Sequence, residues 1–300
     1  MSVFVGSGAA ICTPFDSTGK FNEAAYEKLI DFQVKKGTDA IVSCGSTGEA
    51  STLDHEEHVE VVRAAVVATK KASEKYGRKV PVIAGAGGND TAYAVTLSRE
   101  LVAAGVDALM HVTPYYNKTS PKGLIVHYSE IAKSVDIPII LYNVPTRTGM
   151  NIKPTTLEQL AKIPNIIGIK EASGDIVQVA EMVERCGEDF DMYSGNDDYV
   201  LPILALGGKG VISTTANIAP EEMHNIIGYF MEGDIAKSRQ VQLGIMPLVR
   251  LMFAEINPMP VKAALNLMGF DMGSCRLPLV DVEPALLEAM KQEMKRYGIL

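Results

Sequence analysis

Gly37-Thr38-Asp39-Ala40-Ile41 and Gly105-Val106-Asp107-Ala108-Leu109 spell one pattern twice, G-x-D-A-aliphatic. In each copy the glycine suits a helix end and the aliphatic residue opens an apolar run. A joint between helix and strand is therefore repeated as text, and the rest of the chain keeps the same rhythm. Apolar, β-branched runs are expected as strands at Ala9–Cys12, Ala40–Ser43, Val80–Ala84, Ala108–Val112, Pro138–Tyr142, Ile166–Lys170, Asp191–Ser194 and Gly210–Ser213. Helix punctuation lies between them: Asn22 as a cap, Asp54 with Glu57 as a capping box, and Ser120-Pro121 as a cap followed by proline. Gly105, Gly187 and Gly207 stand where helices stop.

Eight βα units imply a parallel sheet closed into a (β/α)8 TIM barrel, an α/β fold. The rival, an open doubly wound sheet, lacks its glycine fingerprint; Gly85-Ala86-Gly87-Gly88 matches that pattern poorly. After residue 219 the strand signal fades, and helices are expected at Pro220–Met231, Asp234–Phe253, Asn257–Met268 and Val282–Tyr297. The expected organisation is a catalytic barrel over 1–232 and a helical extension over 233–300 packed on it. Met246, Met252, Met259 and Met268 are expected to pack in that extension.

With 300 residues, 47% hydrophobic and 21% charged, the composition is that of a globular chain rather than a disordered or fibrous one. A net charge of −8 and a pI near 5.2 argue against nucleic acid or an anionic membrane as partner. No apolar run approaches a membrane span, and MSVFVGSGAAICTPF carries no basic region before an apolar stretch. Cys12, Cys44, Cys186 and Cys275 have no C-x-x-C spacing, so reduced thiols in a cytoplasmic protein are expected, with Cys12 and Cys44 on apolar strands.

In a closed parallel barrel the chemistry gathers where strands end. Lys170 ends the run Ile166-Ile167-Gly168-Ile169, which is apolar enough to be buried on both faces. Two readings stand: a buried ion pair with Glu171 or another carboxylate, or an amine whose pKa falls on desolvation so that it can attack a carbonyl. Tyr142 ends Ile139-Ile140-Leu141 and is either a core tyrosine or an acid–base group. Arg147, in the loop after it, is either a carboxylate clamp or an exposed charge. Gly45-Ser46-Thr47-Gly48 offers hydroxyls and N–H groups for an anion cradle, but as a bare motif it is weak, since such clusters are commonly turns. His55 and His58 share a helix face without a third ligand, so a solvated face is expected and no metal site.

Taken in order, GSTGE (45–49), PYYN (114–117), YNVPTRTG (142–149), GIKEASGD (168–175), SGNDD (194–198), GVIS (210–213) and NPMPVK (257–262) resemble one family. It is the dihydrodipicolinate synthase branch of the pyruvate-dependent class I aldolases, related to N-acetylneuraminate lyase. The resemblance runs from about residue 5 to the C-terminus. It implies a cofactor-free condensation of pyruvate with L-aspartate-4-semialdehyde, giving 4-hydroxy-tetrahydrodipicolinate on the way to diaminopimelate and lysine. Lys170 would form the Schiff base, Tyr142 would exchange protons, and Ser46, Thr47 and Tyr116 would complete a hydroxyl relay. In this family the relay tyrosine reaches in from the neighbouring subunit, which implies a homo-oligomer, a dimer of dimers. Thr47, the backbone of Ile212 and Gly195 would contact substrate, and Arg147 would bind the carboxylate of the aldehyde.

Ser46 departs from the usual threonine but keeps the hydroxyl, and GSTGE also occurs in the lyases. The arginine of RTG and the pair Tyr115-Tyr116 are synthase features, so the synthase ranks ahead of a sialic-acid or keto-acid aldolase. A non-catalytic binding regulator ranks last. The resemblance also implies a site for L-lysine as feedback inhibitor near Ala50, Ser51, His55, His58, Asn89 and Tyr115. Tyr93 stands there in place of the glutamate that pairs with the lysine ammonium in sensitive relatives, so weak or absent inhibition is expected.

Overall fold

The computed structural model describes residues 2–300, and the apolar runs become eight parallel strands. They are β1 (Gly6–Ala10), β2 (Ala40–Ser43), β3 (Val82–Gly85), β4 (Ala108–Val112), β5 (Ile139–Asn143), β6 (Ile166–Glu171), β7 (Asp191–Ser194) and β8 (Gly210–Ser213). Each pairs with its sequence neighbour, and β8 returns to pair with β1, so the sheet is a closed TIM barrel. Alternation along the strands sorts the apolar side chains into two sets. Ala40, Val42, Ala108, Met110, Ile140, Tyr142 and Ile212 belong to the barrel interior. Ile41, Leu109, Ile139, Leu141, Ile169 and Val211 belong to the larger layer between strands and helices.

The helices of that layer are α1 (Glu23–Lys35), α2 (His55–Tyr76), α3 (Thr91–Ala103), α4 (Pro121–Lys133), α6 (Pro154–Leu160), α7 (Ile176–Cys186), α8 (Val200–Ala205) and α9 (Pro220–Met231). A single turn, α5 (Pro145–Thr148), occupies the stretch read from sequence as a loop. Beyond the eighth unit lie α10 (Ile235–Met252), α11 (Met259–Leu267) and α12 (Pro284–Tyr297), with α10 packed on α9 and α8. Met252 and Met259 are buried there, whereas Met246 and Met268 are half-buried.

The repeated G-x-D-A text is a repeated device. Asp39 accepts a hydrogen bond from the backbone N–H of Ser7 at 2.8 Å, and Asp107 accepts one from that of Val82 at 2.8 Å. Each carboxylate satisfies a backbone donor at the start of the preceding strand, where no ladder partner is left. Phe4 stacks on Tyr193 at 4.5 Å between centroids within the interior cluster.

Several local expectations are corrected. The first strand begins at Gly6 rather than Ala9, because the close-packed β1–β8 backbones require small residues there. A Cβ on Gly210 would sit 1.9 Å from the Gly6 carbonyl oxygen. Cys12 and Cys44 are buried but lie just past their strands. The Asp54 box is half formed: Asp54 accepts from Glu57 N at 2.9 Å, but the Glu57 carboxylate holds Arg276 at 2.6 Å. His58 is not solvated. It is 6% exposed, and its Nε2 sits 2.8 Å from the Gly85 carbonyl.

Candidate active site

Lys170 lies next to last on β6, in register with Tyr142 on β5 and Tyr193 on β7. Its side chain is only 6% exposed, at the C-terminal end of the strand, and Nζ rests 4.4 Å from the centre of the Tyr142 ring. Desolvation there lowers the ammonium pKa from 10.5 to about 8; the charge of Asp197 opposes this and that of Arg147 adds to it. Among the described residues Lys170 forms no salt bridge. Glu171 points to the other face, accepting from Asn143 Nδ2 at 2.8 Å and from Ser173 N at 2.7 Å. Of the two readings of Lys170, the ion pair with Glu171 is thus set aside. The lowered pKa is what the reading as an activated amine calls for. Burial raises the pKa of the Tyr142 phenol, with Arg147 and the Ser46 hydroxyl pulling the other way.

The neighbouring strand ends shape the space around Nζ. Gly195 is required by packing, since a Cβ there would meet Ala172 Cβ at 2.7 Å and Lys170 Cγ at 3.2 Å. Asp197 is buried and accepts from Thr215 N at 2.8 Å, tying the β7 loop to the turn after β8. Ile212, on β8, belongs to the same interior cluster as Tyr142.

Thr47 sits in a tight turn closed by Gly48 N to Gly45 O at 3.1 Å and Glu49 N to Ser46 O at 3.2 Å. Its hydroxyl is buried, 3.2 Å from Thr214 Oγ1, and it accepts from Asn257 Nδ2 at 3.0 Å. Ser46 is half-buried. Arg147, on α5, is exposed at the rim and donates to the Asn257 carbonyl at 3.0 Å. One fold thus brings together an amine, a phenol, two hydroxyls and a cation from β6, β5, the loop after β2 and α5.

The dihydrodipicolinate synthetase family matches residues 3–297 of this chain. The chain belongs to that family. The 4-hydroxy-tetrahydrodipicolinate synthase of Thermoanaerobacter sp. (strain X514) is 51% identical to it over 301 residues, covering 100% of this chain and 99% of the relative. Two solved structures are similar throughout. The chloride-inhibited dihydrodipicolinate synthase of Acinetobacter baumannii, complexed with pyruvate, matches with a TM-score of 0.93 at 38% identity over 99% of both chains. The enzyme of Cyanidioschyzon merolae with lysine bound matches with a TM-score of 0.94 at 36% identity over 99% of both chains.

Not every expected residue of this dihydrodipicolinate synthetase family member joins the cluster around Lys170. Tyr116 is 92% exposed, with φ at +68°. A large ring held outward in a left-handed backbone is uncommon. Of the residues tied by resemblance to L-lysine, Asn89 donates to the Tyr115 carbonyl at 3.2 Å. His55 faces Tyr93 OH at 3.5 Å and Glu100 at 3.0 Å, and Ala50 and Ser51 form the short turn before α2. His58 is turned inward on Gly85.

Sequence reasoning missed Thr214 and Glu100, and it gave Asn257 no role although NPMPVK was in view. No spacing rule joins Asn257 to Thr47. Only the docking of the segment between α10 and α11 does.

Proposed function

We propose that this enzyme condenses pyruvate with L-aspartate-4-semialdehyde through a Schiff base on Lys170. The supporting observation is the buried Lys170 amine against the Tyr142 ring. A depressed pKa leaves a useful neutral fraction near neutral pH, and the lone pair of Nζ attacks the pyruvate carbonyl carbon. Tyr142 delivers a proton to the resulting oxygen, which leaves as water, and the C–N double bond forms. Loss of a methyl proton then gives an enamine whose carbon attacks the aldehyde, and the new alkoxide takes a proton back through the phenol. The substrate's own amine displaces Nζ from the imine carbon, closing the ring and freeing Lys170. The iminium is the electron sink, so the reaction calls for no cofactor.

Ser46 and Thr47 carry protons between Tyr142 and Tyr116 of a neighbouring subunit, and Thr47, Gly195 and the Ile212 backbone hold pyruvate. Arg147 at the rim receives the carboxylate of the aldehyde. We read residues 1–232 as the catalytic barrel and 233–300 as its extension, the assembly as a homotetramer of two tight dimers, and the compartment as the cytoplasm. No helix is long and apolar enough to cross a membrane among the described residues. The set around Ala50, Ser51, His55, His58, Asn89 and Tyr115 is the proposed L-lysine site, weakened by Tyr93.

Borohydride reduction with pyruvate should label one lysine, identified as Lys170 by mass spectrometry. Lys170→Ala and Lys170→Arg should abolish the label, since a guanidinium stays protonated. Undiminished labelling of Lys170→Ala overturns the assignment. Preference for L-aspartate-4-semialdehyde over sugar aldehydes separates the synthase from a lyase.

A further inference from the structure

Two charged residues end motifs of this chain without touching the chemistry above, Glu49 in GSTGE and Lys262 in NPMPVK. They meet. Lys262 Nζ lies 2.7 Å from Glu49 Oε1, with the two side chains 2% and 1% exposed. The second carboxylate oxygen accepts from the backbone N–H of Arg276 at 2.8 Å. Lys262 Nζ and the Arg276 guanidinium carbon lie 4.1 Å and 3.9 Å from the centre of the Phe15 ring.

An ion pair buried this deeply adds little net stability over apolar residues of the same volume, while losing one partner is costly. Its use is geometric. Glu49 has φ at +54°, a left-handed backbone that a residue with a side chain rarely adopts, and it closes the turn carrying Thr47. Asn257 and Lys262 belong to one short segment. Asn257 grips the Thr47 hydroxyl at 3.0 Å, and Lys262 grips the Glu49 carboxylate two residues further along the turn. Between them, the Gly48 carbonyl accepts from Thr13 Oγ1 at 2.7 Å on the barrel side. A single grip would let the turn pivot; two grips and a backstop fix its orientation.

We propose that Lys262 is a positioning residue: its ion pair with Glu49 holds the 45–49 turn so that Thr47 presents its hydroxyl to pyruvate. This rests on the reading of Thr47 as a pyruvate contact. The experiment compares Lys262→Met, the double variant Glu49→Gln with Lys262→Met, and Thr47→Val. For each, the half-saturating pyruvate concentration for reductive trapping, the turnover number and the melting temperature are measured.

Lys262→Met strands a buried carboxylate, so its melting temperature falls. Its half-saturating pyruvate should rise about ten-fold or more, the worth of a lost positioning contact, while turnover at saturation changes far less. The double variant removes the stranded charge and regains thermal stability, yet keeps the pyruvate defect because the grip is still missing. Stability and pyruvate affinity then separate, which a purely structural ion pair would not produce. If pyruvate affinity returns together with stability in the double variant, the proposal is overturned. Should Lys262→Met fail to fold, the double variant alone decides. An unchanged half-saturation in Thr47→Val overturns the reading of Thr47 and the proposal with it. A rise in Thr47→Val without one in the double variant overturns the proposal alone.

Discussion

Lys170 Nζ lies 4.4 Å from the centre of the Tyr142 ring, and the two residues are register partners on adjacent strands. The ring face offsets part of the cost of burying an ammonium, but the net effect still lowers its pKa to about 8. The unfolded chain holds that proton up to its ordinary value near 10.5, so folding with a charged Lys170 costs stability at neutral pH. The cost fades as pH rises from about 8 towards 10.5. Lys170→Met should therefore raise thermal stability at pH 7, by of order 3 kcal/mol, and the gain should shrink towards pH 10. In the parent enzyme the initial rate of pyruvate trapping should climb with pH through about 8 and then level off. A trapping rate that is flat between pH 6 and 9 would contradict the depressed amine.

Arg147 acts at a distance on both partners of that pair, favouring deprotonation of Lys170 and of Tyr142. Arg147→Ala should leave the pyruvate adduct intact but move its pH profile to higher pH. Because the guanidinium stands at an exposed rim, the specificity constant for the aldehyde should fall by about ten- to a hundred-fold. Steady-state kinetics with both substrates varied tests this, and an unchanged aldehyde constant rejects the clamp.

Tyr116, exposed and held in a left-handed backbone, should complete the site of a second subunit. Mixing Lys170→Ala with Tyr116→Phe should then restore activity that neither variant has alone, because one site of the hybrid dimer carries both wild-type residues. Sedimentation should show a dimer or larger at assay concentration. A monomer with full turnover contradicts the reading.

L-Lysine should inhibit weakly or not at all. Tyr93 offers a hydroxyl, 3.5 Å from His55, where a carboxylate partner would be needed, and the nearby carboxylate of Glu100 is occupied with His55 at 3.0 Å. Losing that partner should leave half-inhibition above ~1 mM, a tens- to hundreds-fold weakening. Titration of L-lysine against the initial rate measures it, and half-inhibition well below that mark shows the site intact.

The barrel was legible because strand and helix periods differ and because Asp39 and Asp107 repeat one joint. The lysine and the phenol stood out because strand-end positions in such a barrel are few and chemically conspicuous, while their roles, and that of Arg147 on the turn after β5, came from the resemblance. The network behind them was not. Asn143 and Glu171 follow Tyr142 and Lys170 and lock the same two strands by a 2.8 Å hydrogen bond, with Asn151 and Gln178 extending the chain of amides. A one-dimensional reading sees a carboxylate beside a lysine and leaves an ion pair standing beside the activated amine. The pleat turns the two to opposite faces. His58 misled for a related reason: helical spacing tells which residues share a face, not whether that face meets solvent or a neighbouring strand end.

The bond between Asn257 and Thr47 joins residues 210 apart in the sequence. Contacts between residues so far apart must close a long loop before they form, which makes them slower to form than local ones. During synthesis, the turn that holds Thr47 leaves the ribosome long before the segment that grips it. A nascent chain with all eight strands available still lacks Asn257 and Lys262, the two side chains that hold the Thr47 turn from outside the strands. The segment between α10 and α11 is thus part of the site's scaffold, and the Thr47 turn acquires its full set of contacts only once that segment has docked on the barrel.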